Sequence, residues 1–268
     1  MSKPLVNLHR RFFISAVGTG LTLPLTLATG QALAQAQIVD RAGSLRMLSQ
    51  RIAKAYCQLA QGVLASDAET ILAKSVSRFN GALVTVRANA AAPQNVIKLI
   101  ESDWSQLRDL ATVAPSKDAF KKVDALADTL TENADALAAQ LATALGVQSA
   151  RWTNLSGRQR MLSQRIAKSA FALMWGLDGK AYAQQYDAAH TQFNAALIEL
   201  QRAPHNAPLI ARNLEMAEIQ AGLFDTALGS RNDIAKLTAP RAINVARTNE
   251  RLLELFDEIT NQFAGVKV

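Results

Sequence analysis

Cysteine is almost missing. Cys57 stands alone among 268 residues, so no disulfide can form within the chain and packing alone must hold the fold. Its neighbours Tyr56 and Leu59 belong to an apolar stripe, which makes it a buried, inert thiol rather than a redox centre. Histidine is nearly as scarce, with three in all. Asp187-Ala188-Ala189-His190 has the carboxylate-x-x-His spacing of di-iron bundles, but that site needs a second such pair and two more inward carboxylates. His190 is therefore read as a surface residue, and no metal or cofactor is expected. Aromatics make up 6% of the chain and do not alternate with basic residues, which argues against nucleic acid as a partner. There is no haem-attachment motif, no glycine-rich phosphate loop and no glycine-elbow serine, so the chain is not read as an enzyme. The seven prolines sit in a few places and no period-2 run of β-branched residues occurs. An all-α fold follows.

What is present is a repeat. Gly157-Arg158-Gln159-Arg160-Met161-Leu162-Ser163-Gln164-Arg165-Ile166-Ala167-Lys168 matches Gly43-Ser44-Leu45-Arg46-Met47-Leu48-Ser49-Gln50-Arg51-Ile52-Ala53-Lys54 at ten of twelve positions, with an offset of 114. The same offset aligns Phe79-Asn80-Gly81-Ala82-Leu83 with Phe193-Asn194-Ala195-Ala196-Leu197, so the chain is a tandem duplication. At 100° per residue, Leu45, Leu48, Ile52, Tyr56 and Leu59 form one stripe, as do Leu162, Ile166, Ala170 and Leu173. Gly43, Met47, Gln50 and Lys54 fall opposite, flanked by Arg46 and Arg51; Gly157, Arg160, Met161, Gln164, Arg165 and Lys168 repeat them. That second face is expected to point outward, and its retention between copies whose flanks have diverged marks it for a shared role.

Residues 1–36 read as a cleavable export signal outside the fold. Lys3, His9, Arg10 and Arg11 form a basic head, a mildly apolar run with Gly18, Gly20 and Pro24 follows, and Ala32-Leu33-Ala34 offers a cleavage pattern. Arg10-Arg11-Phe12-Phe13 after a polar start resembles the twin-arginine type, with the ordinary secretory route as the alternative. Removal takes three basic residues and no acid, lowering the net charge from +7 to +4. No other segment is apolar enough to span a bilayer. The remainder divides into copy 1, residues 37–148, and copy 2, residues 149–268. Helices are expected near 38–65, 68–90, 94–112 and 117–145, then 150–177, 180–202, 207–230 and 239–264. Each copy is thus an up-down four-helix bundle. A turn at Gly146 would lay the bundles side by side with their motif faces meeting; a helical bridge would stack them end to end.

Two facing arginines, either Arg46 with Arg160 or one of them with its counterpart across a dimer, suggest chemistry. At roughly 7 Å and an effective dielectric near 20, two guanidinium groups repel by about 2 kcal/mol. A small planar oxyanion between them would accept hydrogen bonds from both and fix one placement of the helices. Glycine at the same place allows close approach.

Asn154-Leu155-Ser156-Gly157-Arg158-Gln159-Arg160-Met161-Leu162-Ser163-Gln164-Arg165 resembles the motif that opens the PilJ-type sensor domain of type IV pilus chemotaxis transducers. It is also similar to the nitrate-binding box of nitrate/nitrite sensor kinases. The resemblance covers both copies and implies a periplasmic four-helix bundle that binds nitrate or nitrite between first helices. By position the binding arginines are Arg46 and Arg160, with Gly43 and Gly157 at the close approach, Met47, Met161, Gln50 and Gln164 beside them, and Arg51 and Arg165 supporting. The first copy departs from the pattern, reading Asp40-Arg41-Ala42 where the second has Asn154-Leu155-Ser156, and no kinase or methyl-accepting region follows. The reading is an exported sensory protein for a small anion, whose partners are a second copy of itself or a membrane transducer. The alternative keeps the same faces as a ligand-free dimerisation or docking surface. Trp104 and Trp175 are taken as core or bundle-end fillers, and Trp152 as a candidate cover for the anion. Phe79 and Phe193 are taken as core, with Asn80 and Asn194 bonding between helices.

Overall fold

The computed structural model describes residues 23–146, 150–203 and 208–265. Eight α-helices follow in order: α1 (Leu23–Ala60), α2 (Ala65–Arg87), α3 (Gln94–Leu110), α4 (Lys117–Leu145), α5 (Ala150–Met174), α6 (Gly179–Gln201), α7 (Pro208–Leu228) and α8 (Ala239–Phe263), with a 3-10 segment at Arg231–Lys236. The fold is all-α, and the described residues contain no strand.

The breaks have local causes. Ser116 caps α4 by accepting from the Ala119 amide, and Asp178 caps α6 by accepting from Lys180 and Ala181. Pro240 enters α8 in its first turn, where a missing N–H costs nothing. Gly62 and Gly176, equivalent at the 114 offset, both take left-handed backbone just past the motif helices. The helix expected from residue 68 begins earlier: α2 starts at Ala65 behind Leu64, itself left-handed, so Asp67 lies in the first turn and contributes charge rather than a cap.

In copy 1, α1 packs along α2 and α4, and α3 along α4; in copy 2, α5 packs along α6 and α8, and α7 along α8. The two first helices also pack along each other, so one continuous apolar core runs through both bundles. Gly146 ends α4 with a left-handed residue, and α5 returns beside α1: the bundles lie side by side. Residues 147–149 of the joint lie outside the described residues.

The basic head of the expected leader, with Lys3, His9, Arg10 and Arg11, also lies outside them. The stretch from Leu23 onward, expected to stand apart from the fold, is helical and continuous with α1, and Ala36 is buried. An alanine- and leucine-rich run is itself a good helix former, which is why a leader-like composition continues the helix. Among the described residues no helix is long and apolar enough to cross a membrane.

Candidate functional site at the seam between the copies

The core stripe behaves as its spacing demands, with Leu45, Leu48, Ile52, Tyr56, Leu162, Ile166 and Ala170 all buried. The opposite face does not point outward. Gly43, Arg46, Met47, Gln50 and Lys54 are buried, and so are Gly157, Arg160, Met161, Gln164 and Lys168. Each first helix is surrounded, by its own bundle on one side and by the other copy on the other. The face expected in solvent is the seam of the molecule, and a buried seam accounts for its retention without a ligand.

Burying that many cations requires counter-charges, and α4 and α8 supply them in a reciprocal pattern. Arg46 pairs with Asp135 of its own copy, and Arg160 with Asp257 of its own copy at 2.9 Å. The next turns cross over. Arg51 and Lys54 of α1 both pair with Glu250 of α8, and Lys54 also donates to the Asn249 Oδ1 at 2.9 Å. Conversely, Arg165 reaches Asp128 of α4 at 2.9 Å, while Lys168 pairs with Asp124 and Asp128. Both lysine side chains are 0% exposed, so removal of their carboxylates would leave a bare buried charge. Arg51 and Arg165, expected to support the binding arginines, are instead paired with carboxylates of the other copy.

The repeat offset of 114 does not point to these acids. Asp128 and Asp135 on α4 correspond to Glu250 and Asp257 on α8, seven residues apart in each case, but at an offset of 122 instead of 114. A longer third helix, 21 residues against 17, and the added 3-10 segment shift the register between the motif and its counter-charges. A search at one fixed offset passes over them; the shared seven-residue spacing was the available signal.

The two arginines converge. A Cβ added at Gly157 would stand 3.1 Å from the Arg160 Nη2 and 3.4 Å from the Arg46 Nη2, so guanidinium groups from different copies meet over one glycine of a single chain. Gly43 is similarly covered, its added Cβ 3.0 Å from the Arg46 Nη2. The close approach assigned to these glycines is thus an approach of arginine side chains.

The two arginines are not electrostatically equivalent. Arg160 lies between two carboxylates, Asp257 and, at 2.6 Å, Asp40 of copy 1. Burial lowers its pKa, but Asp40 and Asp257 outweigh burial and hold it above the ordinary arginine value. Arg46 has Asp135 alone, and Asp135 also serves Arg158 at 2.8 Å. Burial therefore pushes the Arg46 pKa down, Arg158 and Arg160 push it the same way, and Asp135 compensates only in part. Two substitutions between the copies lie behind this, one of them Arg158 in place of Ser44. Where copy 1 has Asp40, copy 2 has Asn154, whose buried Oδ1 has no hydrogen-bond partner.

The remaining expected residues divide. Gln50 is engaged by α4, donating to Asp128 at 2.8 Å and to the Thr131 Oγ1 at 2.9 Å. Gln164 is fully buried with neither amide atom bonded, because Leu253 replaces Thr131 at the matching place on α8. Met47 and Met161 are core packing. Trp152 stacks on Phe263 at the bundle end, with ring centroids 6.4 Å apart, and carries the Arg151 guanidinium over its ring at 4.7 Å. Trp104 stacks on Phe79 and donates to Asn80 at 2.7 Å, the helix-to-helix bond expected of that asparagine; Asn194 instead contacts His190 of its own helix. His190 is half-buried and bonded to Asp225 at 3.0 Å, a hydrogen bond that raises its pKa above the usual histidine value. Cys57 is fully buried, and burial raises its thiol pKa, as an inert cysteine requires. Among the described residues no group of three metal-ligating side chains occurs.

Neither the curated proteins nor the solved structures offer a significant match to this chain. The family of type IV pili methyl-accepting chemotaxis transducer N-terminal domains, PilJ, matches residues 27–151 and again residues 143–225, once for each motif helix. With a duplicated motif, two up-down bundles and most of its length matched, the chain belongs to the PilJ family, a family of sensory and not catalytic domains.

Proposed function

We propose that this protein is an exported, periplasmic sensory module that binds a small oxyanion, nitrate or nitrite, at the seam between α1 and α5 and passes the change to a membrane-borne transducer. One observation carries the reading: two buried guanidinium groups, Arg46 and Arg160, converge over Gly157 within a single chain. The convergence favours one internal site over a site completed by a second molecule. The charge imbalance gives that site a direction. Arg46 and Arg158 share Asp135, whose side chain is 38% exposed and can swing into water, whereas Arg160 is already matched by two acids. A planar oxyanion replacing Asp135 would accept from Arg46 and, over Gly157, from Arg160, and would uncouple α4 from α1, turning occupancy into a change of helix placement. Export rests on the basic head and small-residue cleavage pattern of residues 1–36.

A second reading also has an observation behind it. Each motif cation has a carboxylate partner already, as a ligand-free scaffold or docking module would have. Thermal-shift and calorimetric titration with nitrate, nitrite and chloride at constant ionic strength separates the two. Saturable stabilisation by nitrate or nitrite but not chloride, lost in Arg46→Ala and tightened in Asp135→Asn, is expected. No saturable response to any oxyanion at millimolar concentration would leave the docking reading.

A further inference from the structure

Beside Arg160 the seam opens into a polar cavity of about 320 Å³ between α1, α2, α5 and α8. Its charged walls are Asp40, Arg41, Arg78, Arg160 and Asp257, with Asn261 alongside. The duplication supplies an internal control. At the corresponding positions of the other copy stand Asn154 for Asp40, Leu155 for Arg41, Gln192 for Arg78 and Ala139 for Asn261. There Arg158 closes onto Asp135. The same fold is thus built without Arg41 and Arg78, which belong to the cavity, while Asp40 also neutralises Arg160.

The bonding capacity left over is of both signs. Asp40 and Asp257 each hold Arg160 through Oδ1, leaving their second oxygens, and the Asp257 Oδ2 is 3.8 Å from Arg78, beyond hydrogen-bond reach. Arg78 is half exposed, and Arg41 is exposed with no ion pair among the described residues. Arg160 is 3% exposed, and its Nε is a buried donor without a partner. A simple anion entering here would face two carboxylates, and a simple cation three guanidinium groups. A molecule with an ammonium and a carboxylate one carbon apart meets each charge with its opposite. Leu48 and Ala82 complete the wall with apolar surface, which leaves room for a small uncharged side chain.

We propose that this cavity binds a small α-amino acid, its ammonium on Asp40 and Asp257 and its carboxylate on Arg41 and Arg78. The proposal rests on the domain being sensory, not on the oxyanion, and its ligand is held by Asp40, Asp257, Arg41 and Arg78 rather than by Arg46 and Arg158. Isothermal titration of the protein with L-alanine and L-serine tests it, with acetate, methylammonium and nitrate titrated separately. Either amino acid is expected to bind saturably, and acetate and methylammonium are not. Arg78→Gln, the residue of the other copy, should weaken binding about tenfold or more by removing a charge-assisted bond. Gly81→Leu should abolish it. Gly81 lies at the cavity wall, and a Cβ there meets nothing within 4 Å, so the side chain starts in open space; a melting temperature equal to that of the parent protein checks that the fold is kept. Absence of amino-acid binding, equal binding of acetate, or binding unchanged in both variants would overturn the proposal. Nitrate stabilisation sensitive to Arg46→Ala but indifferent to Gly81→Leu would stand or fall independently.

Discussion

Glu250 shows how much one side chain can be asked to do. Burial alone would raise its pKa, but Lys54 and Arg51 outweigh burial and bring it down to about 2, below the ordinary 4.5. A carboxylate whose folded pKa is depressed contributes its full stabilisation above the unfolded value and loses it as pH falls through the folded one. Acid unfolding monitored by circular dichroism should therefore show stability declining between about pH 4.5 and pH 2. Glu250→Gln should remove much of that dependence. The same variant at pH 7 leaves the Lys54 charge buried with neutral partners only, the glutamine and Asn249, and should lose about 3–5 kcal/mol in urea denaturation. An exposed pair such as Lys121 with Asp118 should change stability by less than about 1 kcal/mol when broken.

Helical glycines separate two roles at the scale of the element. Gly222 lies in α7, where an added Cβ meets nothing within 4 Å, so Gly222→Ala should stabilise by about 1 kcal/mol through helix propensity. Gly157 lies in α5, where the same methyl would press on Arg46 and Arg160. Both guanidinium groups are pinned by carboxylates, so they cannot retreat without breaking ion pairs. Gly157→Ala should instead destabilise, and thermal melts of the two variants side by side would show opposite signs. The helices themselves were legible, because Pro93, Ser116, Asp178 and Pro240 mark their starts and the apolar stripes repeat at helical spacing. The partners of Arg46, Arg51, Lys54, Arg160, Arg165 and Lys168 were not. Periodicity assigns a residue to a face but does not say what lies across from it, and the shift from 114 to 122 hid the matching acids.

For the whole molecule, sharing a core across α1 and α5 has a thermodynamic signature. Copy 1 alone would lose Glu250 from Lys54, and copy 2 alone would lose Asp124 and Asp128 from Lys168. Two bundles linked like beads would melt separately. Here scanning calorimetry should show one transition with calorimetric and van't Hoff enthalpies in agreement, and two resolved peaks would contradict the shared core. The crossed ion pairs also bear on how the two halves have changed since they arose. Since either copy holds the counter-ion for its twin's innermost lysine, a slip in one is felt as an injury in the other, and only matched alterations pass. Twelve residues could stay nearly fixed in this way while their surroundings wandered, each half acting as proofreader to its sibling.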